Sequence, residues 1–178
     1  MIRFVAFLRG INVGGHIVKK ETLQAVFASL GFKNVFTYKQ SGNVVFESDC
    51  TDTSELEPKI EKNLESTLGF SVPTVLRSME YLKDLAEKEP SEFQNIEGTI
   101  LVTLLPSPPT PAFVSLLPLT IPKSTAQVIS TSGNEIYSVT HGGGEGALPN
   151  PFVESKLKVK ATTRNMNTIR EIVEKFGA

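Results

Sequence analysis

Residues 2–8 of the chain read IRFVAFL, an apolar run interrupted only by Arg3. A strand that is apolar on both faces lies inside a β-sheet, because a strand at a solvated surface alternates apolar and polar side chains. The run therefore predicts a central strand. The elements that follow it along the chain must build the sheet around it.

After this strand the pattern predicts a helix, two strands, a second helix and a fourth strand that ends before residue 78. The first helix carries an apolar stripe at helical spacing over residues 23–30. The two strands meet at the turn sequence SGN, residues 41–43, which is typical of a hairpin. The second helix begins with Ser54 and Glu57 in the spacing of a capping box. This order of elements is that of the ferredoxin-like unit.

The same order of elements restarts near residue 98, and a second SGN turn falls at residues 132–134. We therefore predict an α+β fold with two tandem ferredoxin-like (βαββαβ) subdomains, each an antiparallel sheet with helices on one face. The first is expected at residues 1–78, and residues 79–97 are expected to form a connecting helix and loop. The second is expected at residues 98–178, incomplete because no last strand is evident, with an extra C-terminal helix.

Composition places the chain among globular proteins. Of its 178 residues, 40% are hydrophobic and 21% are charged. No apolar run approaches the roughly 20 residues that span a bilayer, and Cys50 is the one cysteine. We therefore expect a cytoplasmic protein with no membrane association and no disulfide bond. The sequence points to no cofactor and no metal, and it leaves the oligomeric state open.

Basic residues concentrate at the two ends of the chain. Residues 1–46 contain six basic residues and one acid, and residues 154–178 contain six basic residues and three acids. Residues 47–100 contain thirteen acids and five basic residues. If the ends meet in the fold, they form one positive face that favours a phosphate group or a nucleic acid. The alternative is ordinary surface charge.

A glycine-rich loop, within FLRGINVGGH at residues 7–16, follows the first strand. It matches neither the dinucleotide-binding fingerprint nor the P-loop, which needs Gly-Lys-Ser/Thr at the start of the helix. It still leads a glycine-rich backbone into a helix start, where N–H groups attract anions. Anion binding and simple flexibility both remain open. The candidate ligand-binding residues here are Arg9, Asn12, Gly14, Gly15, His16 and Lys19.

A second candidate site is TTRNMNT, residues 162–168. Arg164 with Asn165 and Asn167 would supply a forked cation and two amides, a suitable set for a phosphate or carboxylate. The alternative is that Asn165 or Thr163 caps the final helix.

Other polar residues give weaker signals. Ser41 and Asn43 of the first SGN are included as ligand candidates, although a turn explains them equally. Cys50 lies among acids, which raise the pKa of a thiol and lower its reactivity. His16 and His141 are the two histidines, and neither has metal-ligand spacing. The catalytic residues, if there are any, stay unassigned.

Four stretches carry a resemblance: LRGINVGG at 8–15, YKQSGNVVF at 38–46, SKL at 155–157 and TTRNMNT at 162–168. Together they resemble the hallmark sequences of a bacterial family, the domain of unknown function numbered 1697. The resemblance implies two ferredoxin-like subdomains in tandem, and it implies no reaction. His16 stands where members often have lysine, and Met166 where many have tryptophan, which puts a fixed cation and an aromatic contact there in doubt.

We expect a non-enzymatic binding protein for an anionic ligand: a nucleotide, a phosphate ester or a nucleic acid segment. One alternative is an enzyme acting on a phosphorylated or acyl substrate, with His16 as acid or base. Another is a protein-interaction or self-association module, since something must cover the second apolar face of the first strand. For the anion-binding hypothesis, the open question is whether the loop at residues 10–20 and Arg164 share one pocket.

Overall fold

The computed structural model describes residues 1–39, 42–88, 90–93, 96–142 and 148–178. These residues form two compact units. The first contains Met1–Lys83 and Ile172–Ala178, and the second contains Asp84–Glu171. Each unit holds one antiparallel sheet with helices, so the fold is mixed α and β.

The first unit is built on a four-stranded sheet of order β2-β3-β1-β4. Its strands are β1 (Ile2–Leu8), β2 (Lys33–Tyr38), β3 (Asn43–Ser48) and β4 (Thr74–Ser78). Its helices are α1 (Lys20–Ser29) and α2 (Thr53–Leu68), and α3 (Met79–Glu87) begins in this unit. The strand β1 lies between β3 and β4, as its apolar residues on both faces predict.

Helices α1 and α2 pack on one face of this sheet and share a core with it. Phe27 from α1 and Ile60 from α2 are fully buried, together with Phe46 from β3. The rings of Phe27 and Phe46 meet edge to face, with centroids 5.3 Å apart. The amphipathic stripes read from the sequence are therefore the surfaces that hold the layers together.

The edge strand β4 is closed by two carboxylates from α2. Glu61 Oε1 accepts the backbone N–H of Thr74 at 2.9 Å, and Glu57 Oε1 accepts that of Leu76 at 2.8 Å. The two glutamates are four residues apart and so share one face of the helix. They satisfy strand N–H groups that β1, on the other side of β4, does not reach.

The predicted capping box at the start of α2 is wrong. Asp52 is the N-cap, and its Oδ1 accepts the backbone N–H of Ser54 at 2.8 Å. Glu57 does not reach back to the helix start in the way a capping box needs, because its carboxylate binds Leu76 on β4. Aspartate is a preferred N-cap residue, so the helix begins from Asp52, two residues before the predicted N-cap Ser54.

On the other side of the first sheet, Arg3 holds the end of the chain. Its Nη2 and Nε donate to Glu47 Oε1 at 3.0 and 3.2 Å. Its Nη1 donates to the backbone oxygens of Phe176 and Ala178, at 2.5 and 2.7 Å. The ring of Phe176 stacks on Phe36 of β2. Residues 172–178 are therefore fixed to the first unit by both charge and aromatic packing.

The second unit contains a five-stranded sheet of order β6-β7-β8-β5-β9. Its strands are β5 (Thr99–Leu104), β6 (Leu119–Thr120), β7 (Ala126–Ser132), β8 (Glu135–Thr140) and β9 (Thr162–Asn165). Its helices are α4 (Pro111–Val114) and α5 (Asn150–Leu157), and α6 (Met166–Phe176) begins in this unit. Phe113 of α4 and Val153 of α5 share a core with the sheet. No helix within the described ranges combines the length and apolar character needed to cross a membrane.

The prediction that the second subdomain lacks a last strand is wrong. Residues 162–165 form β9, which pairs antiparallel with β5. The strand is short and polar, so hydrophobic periodicity cannot reveal it. Thr162 and Thr163 are nevertheless buried, and the hydroxyls of Thr163 and Thr103 bond each other at 2.8 Å across the pair. The two-residue strand β6 was also not predicted.

We predict that Glu57→Ala lowers the free energy of unfolding by about 1–3 kcal/mol, because the N–H of Leu76 loses a charged acceptor. Glu57→Gln keeps an acceptor oxygen and is expected to lose less. Urea denaturation measures both. Glu65→Ala is the matched control, since Glu65 is an exposed glutamate on the same helix. An equal loss in Glu57→Ala and Glu65→Ala would contradict the assigned role.

The Glu47 contacts predict a dependence of stability on pH. Hydrogen bonds from Asn34 and then Arg3 hold the pKa of Glu47 below its ordinary value. A lowered pKa in the folded protein adds stability that is complete above the unfolded pKa and is lost as the pH falls through the folded pKa. Urea denaturation of the parent and Glu47→Gln should show a stability difference that shrinks between about pH 5 and about pH 3. A difference that stays constant over this interval would count against the assignment.

Candidate functional site

The loop between β1 and α1 is anchored at its start to two other segments of the first unit. The backbone N–H of Leu8 donates to the carbonyl of Gly42 at 2.8 Å. The N–H of Arg9 donates to the carbonyl of Pro73 at 2.9 Å. Gly42 lies in the turn between β2 and β3, and Pro73 directly precedes β4. The exit of the central strand is therefore fixed between its two neighbours.

At Gly42 the turn approaches the loop too closely for a side chain. A Cβ on this residue would lie 3.0 Å from the carbonyl oxygen of Leu8 and 3.1 Å from the Cβ of Ile11. Gly42 also has φ of +72°, a conformation that favours glycine. The SGN turn and the RGINVGG loop, well separated in the sequence, are thus in direct contact.

Within the loop, Asn12 stabilises a compact turn. Its backbone N–H donates to His16 O, and its side-chain Oδ1 accepts the N–H of Val18, both at 2.8 Å. Gly14 and Gly15 lie at the tip with φ of +59° and +88°, and a Cβ on either would meet nothing within 4 Å. These glycines are therefore required by the backbone conformation and not by a close neighbour.

A cleft of about 540 Å³ lies between this loop, the start of α1 and the β2–β3 hairpin. Its lining combines cationic, amide and hydroxyl groups with apolar side chains at the base. Each of the lining residues belongs to the first unit. They are Asn12, Ile17, Val18, Lys19, Lys20, Glu21, Leu23, Thr37, Lys39, Gly42 and Asn43.

The mouth of the cleft is positively charged. Lys19, Lys20 and Lys39 line it, all exposed, against a single lining acid, Glu21. Glu21 lies 3.8 Å from Lys20 Nζ, and both side chains are largely solvated, so this ion pair is weak. Lys19 is the N-cap of α1 and makes no side-chain capping bond. The positive end of the helix dipole therefore adds to the charge of the lysines.

The profile of a family described as "Protein of unknown function (DUF1697)" matches residues 1–137, most of the chain. The chain belongs to this family. The family resemblance is thereby confirmed, and the two hallmark stretches within the matched residues, at 8–15 and 38–46, are the ones that meet at Gly42. The family description assigns no activity, so the function stays open at this point.

Among solved structures, the conserved bacterial protein SP0830 from Streptococcus pneumoniae resembles this DUF1697 chain. The TM-score is 0.71 and the sequence identity 23%, over 100% of this chain and 99% of that chain. At this identity the similarity concerns the fold alone. No curated protein matches the chain.

Four predicted residues of the DUF1697 loop are absent from the lining of the cleft: Arg9, Gly14, Gly15 and His16. The ring of His16 lies against that of Phe70, with centroids 4.1 Å apart. Arg9 is half-buried directly after β1, where its backbone bonds Pro73. Within the described part of the chain, no group of three or more His, Cys, Asp or Glu side chains is placed to hold a metal ion.

Of the two candidates in the SGN turn, one is part of the cleft. Asn43 lines it, and its buried amide Nδ2 donates to the carbonyl of Tyr38 at 3.1 Å. This bond gives Asn43 a structural role in closing the hairpin. Ser41 lies outside the described residues.

The candidates near residue 164 belong to the second unit. Arg164 Nη1 donates to Thr162 Oγ1 and to the carbonyl of Thr163, at 2.8 and 2.9 Å. Burial lowers the pKa of Arg164 to about 10, so the guanidinium remains charged at neutral pH. Asn165 Oδ1 accepts the N–H of Asn167 at 2.8 Å, the bond of a helix N-cap. The capping alternative is therefore observed for Asn165.

Eight of the cleft residues were not among the sequence-predicted set, and they include Lys20, Thr37 and Lys39. Lys20 is adjacent to the predicted Lys19. Thr37 and Lys39 come from β2 and the residue after it, where the pattern reads only as a strand. What could have identified Thr37 and Lys39 is their position shortly before the SGN turn. Lys39 has φ of +54°, which turns the chain toward the end of the hairpin.

We predict that Gly42→Ala is more destabilising than Gly15→Ala. Both substitutions strain a residue with positive φ, which costs roughly 1–2 kcal/mol. Only at Gly42 does the added Cβ also meet backbone, at 3.0 Å. Urea denaturation of the two variants isolates the contact between hairpin and loop. Equal losses of unfolding free energy in the two variants would show that the backbone conformation alone explains the need for glycine at residue 42.

Proposed function

We propose that this protein binds a small anionic ligand, such as a nucleotide or another phosphate ester, in the cleft beside α1. The observation that carries the proposal is the convergence of Lys19, Lys20 and Lys39 on the start of a helix whose N-cap position has no side-chain bond. Lysines and exposed N–H groups at a helix start are the usual partners of a phosphate group.

Electrostatics favours a ligand at this place. Lysines in the first turn of a helix oppose its dipole and destabilise the helix slightly. An anion between them would remove that repulsion and would gain attraction from both the lysines and the dipole. The apolar base of the cleft, which includes Leu23, suits a ligand with an uncharged part as well.

The enzyme alternative has less support from the geometry. It needs His16 as its acid or base, and the imidazole is packed on Phe70 and is not a lining residue of the cleft. The self-association alternative began from the second apolar face of β1. Val5 and Phe7, on that face, are fully buried in the single chain, so the chain itself covers the apolar side chains of β1 that suggested a partner.

We infer further that the chain is a tandem duplication of a ferredoxin-like unit, with repeats at residues 1–78 and 98–178 and a linker at 79–97. Two parallels support this inference. The strand order β2-β3-β1-β4 has its counterpart in β7-β8-β5-β9, with β6 added at the edge. Glu61 of α2 accepts the N–H of Thr74, and Glu154 of α5 accepts that of Ala161. The expected cytoplasmic location rests on cysteine usage and stays a prediction.

Calorimetric titration with inorganic tripolyphosphate tests the anion site. We expect binding that weakens by roughly 3- to 10-fold in Lys19→Ala, Lys20→Ala and Lys39→Ala, since each removes one charge contact. Lys62→Ala is the matched control, because Lys62 is an exposed lysine of α2 outside the cleft.

Two outcomes would overturn the proposal: no measurable binding by the parent, or equal weakening in Lys62→Ala. The variants Arg9→Ala and Arg164→Ala test separately whether the two predicted arginines take part.

A further inference from the structure

An exposed aromatic surface lies at the edge of the first sheet. Phe36 on β2 is 48% exposed, and one face of its ring stacks on Phe176 with centroids 5.8 Å and planes 29° apart. Tyr38 meets the same Phe176 ring edge to face, at 5.9 Å. We call Phe36, Tyr38 and Phe176 the aromatic edge. Among the described strands, β2 pairs with β3 alone, so this surface lies at the outer side of the sheet.

Lysines surround the aromatic edge. Lys175 Nζ lies 5.4 Å from the centroid of the Tyr38 ring and 5.6 Å from that of Phe176. Lys39 Nζ lies 5.6 Å from the centroid of the Tyr38 ring, and Lys39 also lines the cleft. Lys39 therefore connects the aromatic edge with the proposed anion site.

We propose that the cleft and the aromatic edge together bind single-stranded nucleic acid, with phosphate groups at the cleft lysines and a base stacked on Phe36. This inference rests on the proposed anion-binding function and specifies its ligand. A partly exposed ring beside cations matches a ligand that alternates flat aromatic groups with negative charges. Stacking of a base on an aromatic side chain, combined with a basic groove, is a general way to hold single strands.

The position of the two surfaces favours a strand over a single nucleotide. Side chains alternate across a β-strand, so Thr37 faces the cleft while Phe36 and Tyr38 face the other side of the sheet. A ligand that contacts both must pass over the edge of β2. Linked nucleotides can do this, whereas a mononucleotide occupies one side.

A peptide partner added as a further strand is less compatible with this edge. The pairing of β2 with β3 shifts register between Lys33 and Phe36, and Asn34 has φ of +48°. Such irregularity interrupts the backbone ladder over residues 33–36 of the short, six-residue strand that an added strand would have to pair with. The exposed side chains, not the backbone, are therefore the recognition elements here.

Fluorescence anisotropy with a labelled deoxythymidine oligonucleotide of about ten residues tests the proposal. The comparison probe is an abasic oligonucleotide of the same length and charge. We expect the parent to bind the base-containing probe at least about 5-fold more tightly than the abasic one, and Phe36→Leu to lose that preference. Phe36→Tyr keeps a ring and should retain it. Tyr81→Leu, which removes an exposed ring on α3, is the matched control and should bind as the parent does.

Several results would overturn this inference while leaving the anion site intact. They are equal binding of the two probes, unchanged binding in Phe36→Leu, and displacement of the probe by thymidine monophosphate at equal concentration. Binding of tripolyphosphate without binding of the oligonucleotide would do the same. If neither tripolyphosphate nor the oligonucleotide binds, the proposed function and the inference both fail. Near-ultraviolet circular dichroism of each variant excludes loss of folding as the cause.

Discussion

The contact between Gly42 and Leu8 is the constraint on which the candidate site depends. At this point two backbone segments meet, with the N–H of Leu8 bonded to the carbonyl of Gly42 at 2.8 Å. A side chain at residue 42 would lie within 3.0 Å of a carbonyl oxygen, and a rotamer change cannot relieve a clash between a Cβ and backbone. The relative position of the loop and the hairpin is therefore fixed, and with it the cleft between them. Two of the four hallmark stretches, at 8–15 and 38–46, pass through this contact.

A related arrangement occurs in the second unit. There the N–H of Leu105, directly after β5, donates to the carbonyl of Asn134 in the other SGN turn, at 2.9 Å. In both units, then, the residue at the end of the central strand is tied to a hairpin turn, and a glutamate from the second helix bonds a backbone N–H at or beside the start of the last strand. Unpaired N–H groups at a sheet edge invite association with other chains, so these glutamates satisfy the edge from within the fold.

Sequence patterns predicted the parts of the fold that apolar side chains determine. The central position of β1 and the packing faces of α1 and α2 follow from residues such as Val5 and Ile60, whose burial is the reason for the pattern. The strand β9 could not be predicted in this way, because Thr163 is buried as half of a hydroxyl pair and not as an apolar group.

For the candidate site, the sequence identified some of the residues that line the cleft but not the structural role that each of them has. Asn12 was a candidate as part of the glycine-rich loop and Asn43 as part of the SGN turn, and both do line the cleft. Their amide groups, however, bond Val18 N–H and Tyr38 O and thereby hold the loop and the hairpin in shape. Lys39 was not selected, because its part in the cleft depends on a left-handed backbone conformation after β2 that no periodicity reveals.

The loop between β1 and α1 combines several locally unfavourable choices, and these point to function. Gly10, Asn12, Gly14 and Gly15 all have positive φ, and glycine loses more backbone entropy on folding than any other residue. A Cβ added at either tip glycine would meet no neighbour within 4 Å, and the lysines that follow oppose the dipole of α1. Sequences are locally consistent with their fold except where function demands otherwise. A negative charge in the cleft, as proposed above, would turn the arrangement of lysines and helix dipole from unfavourable to favourable.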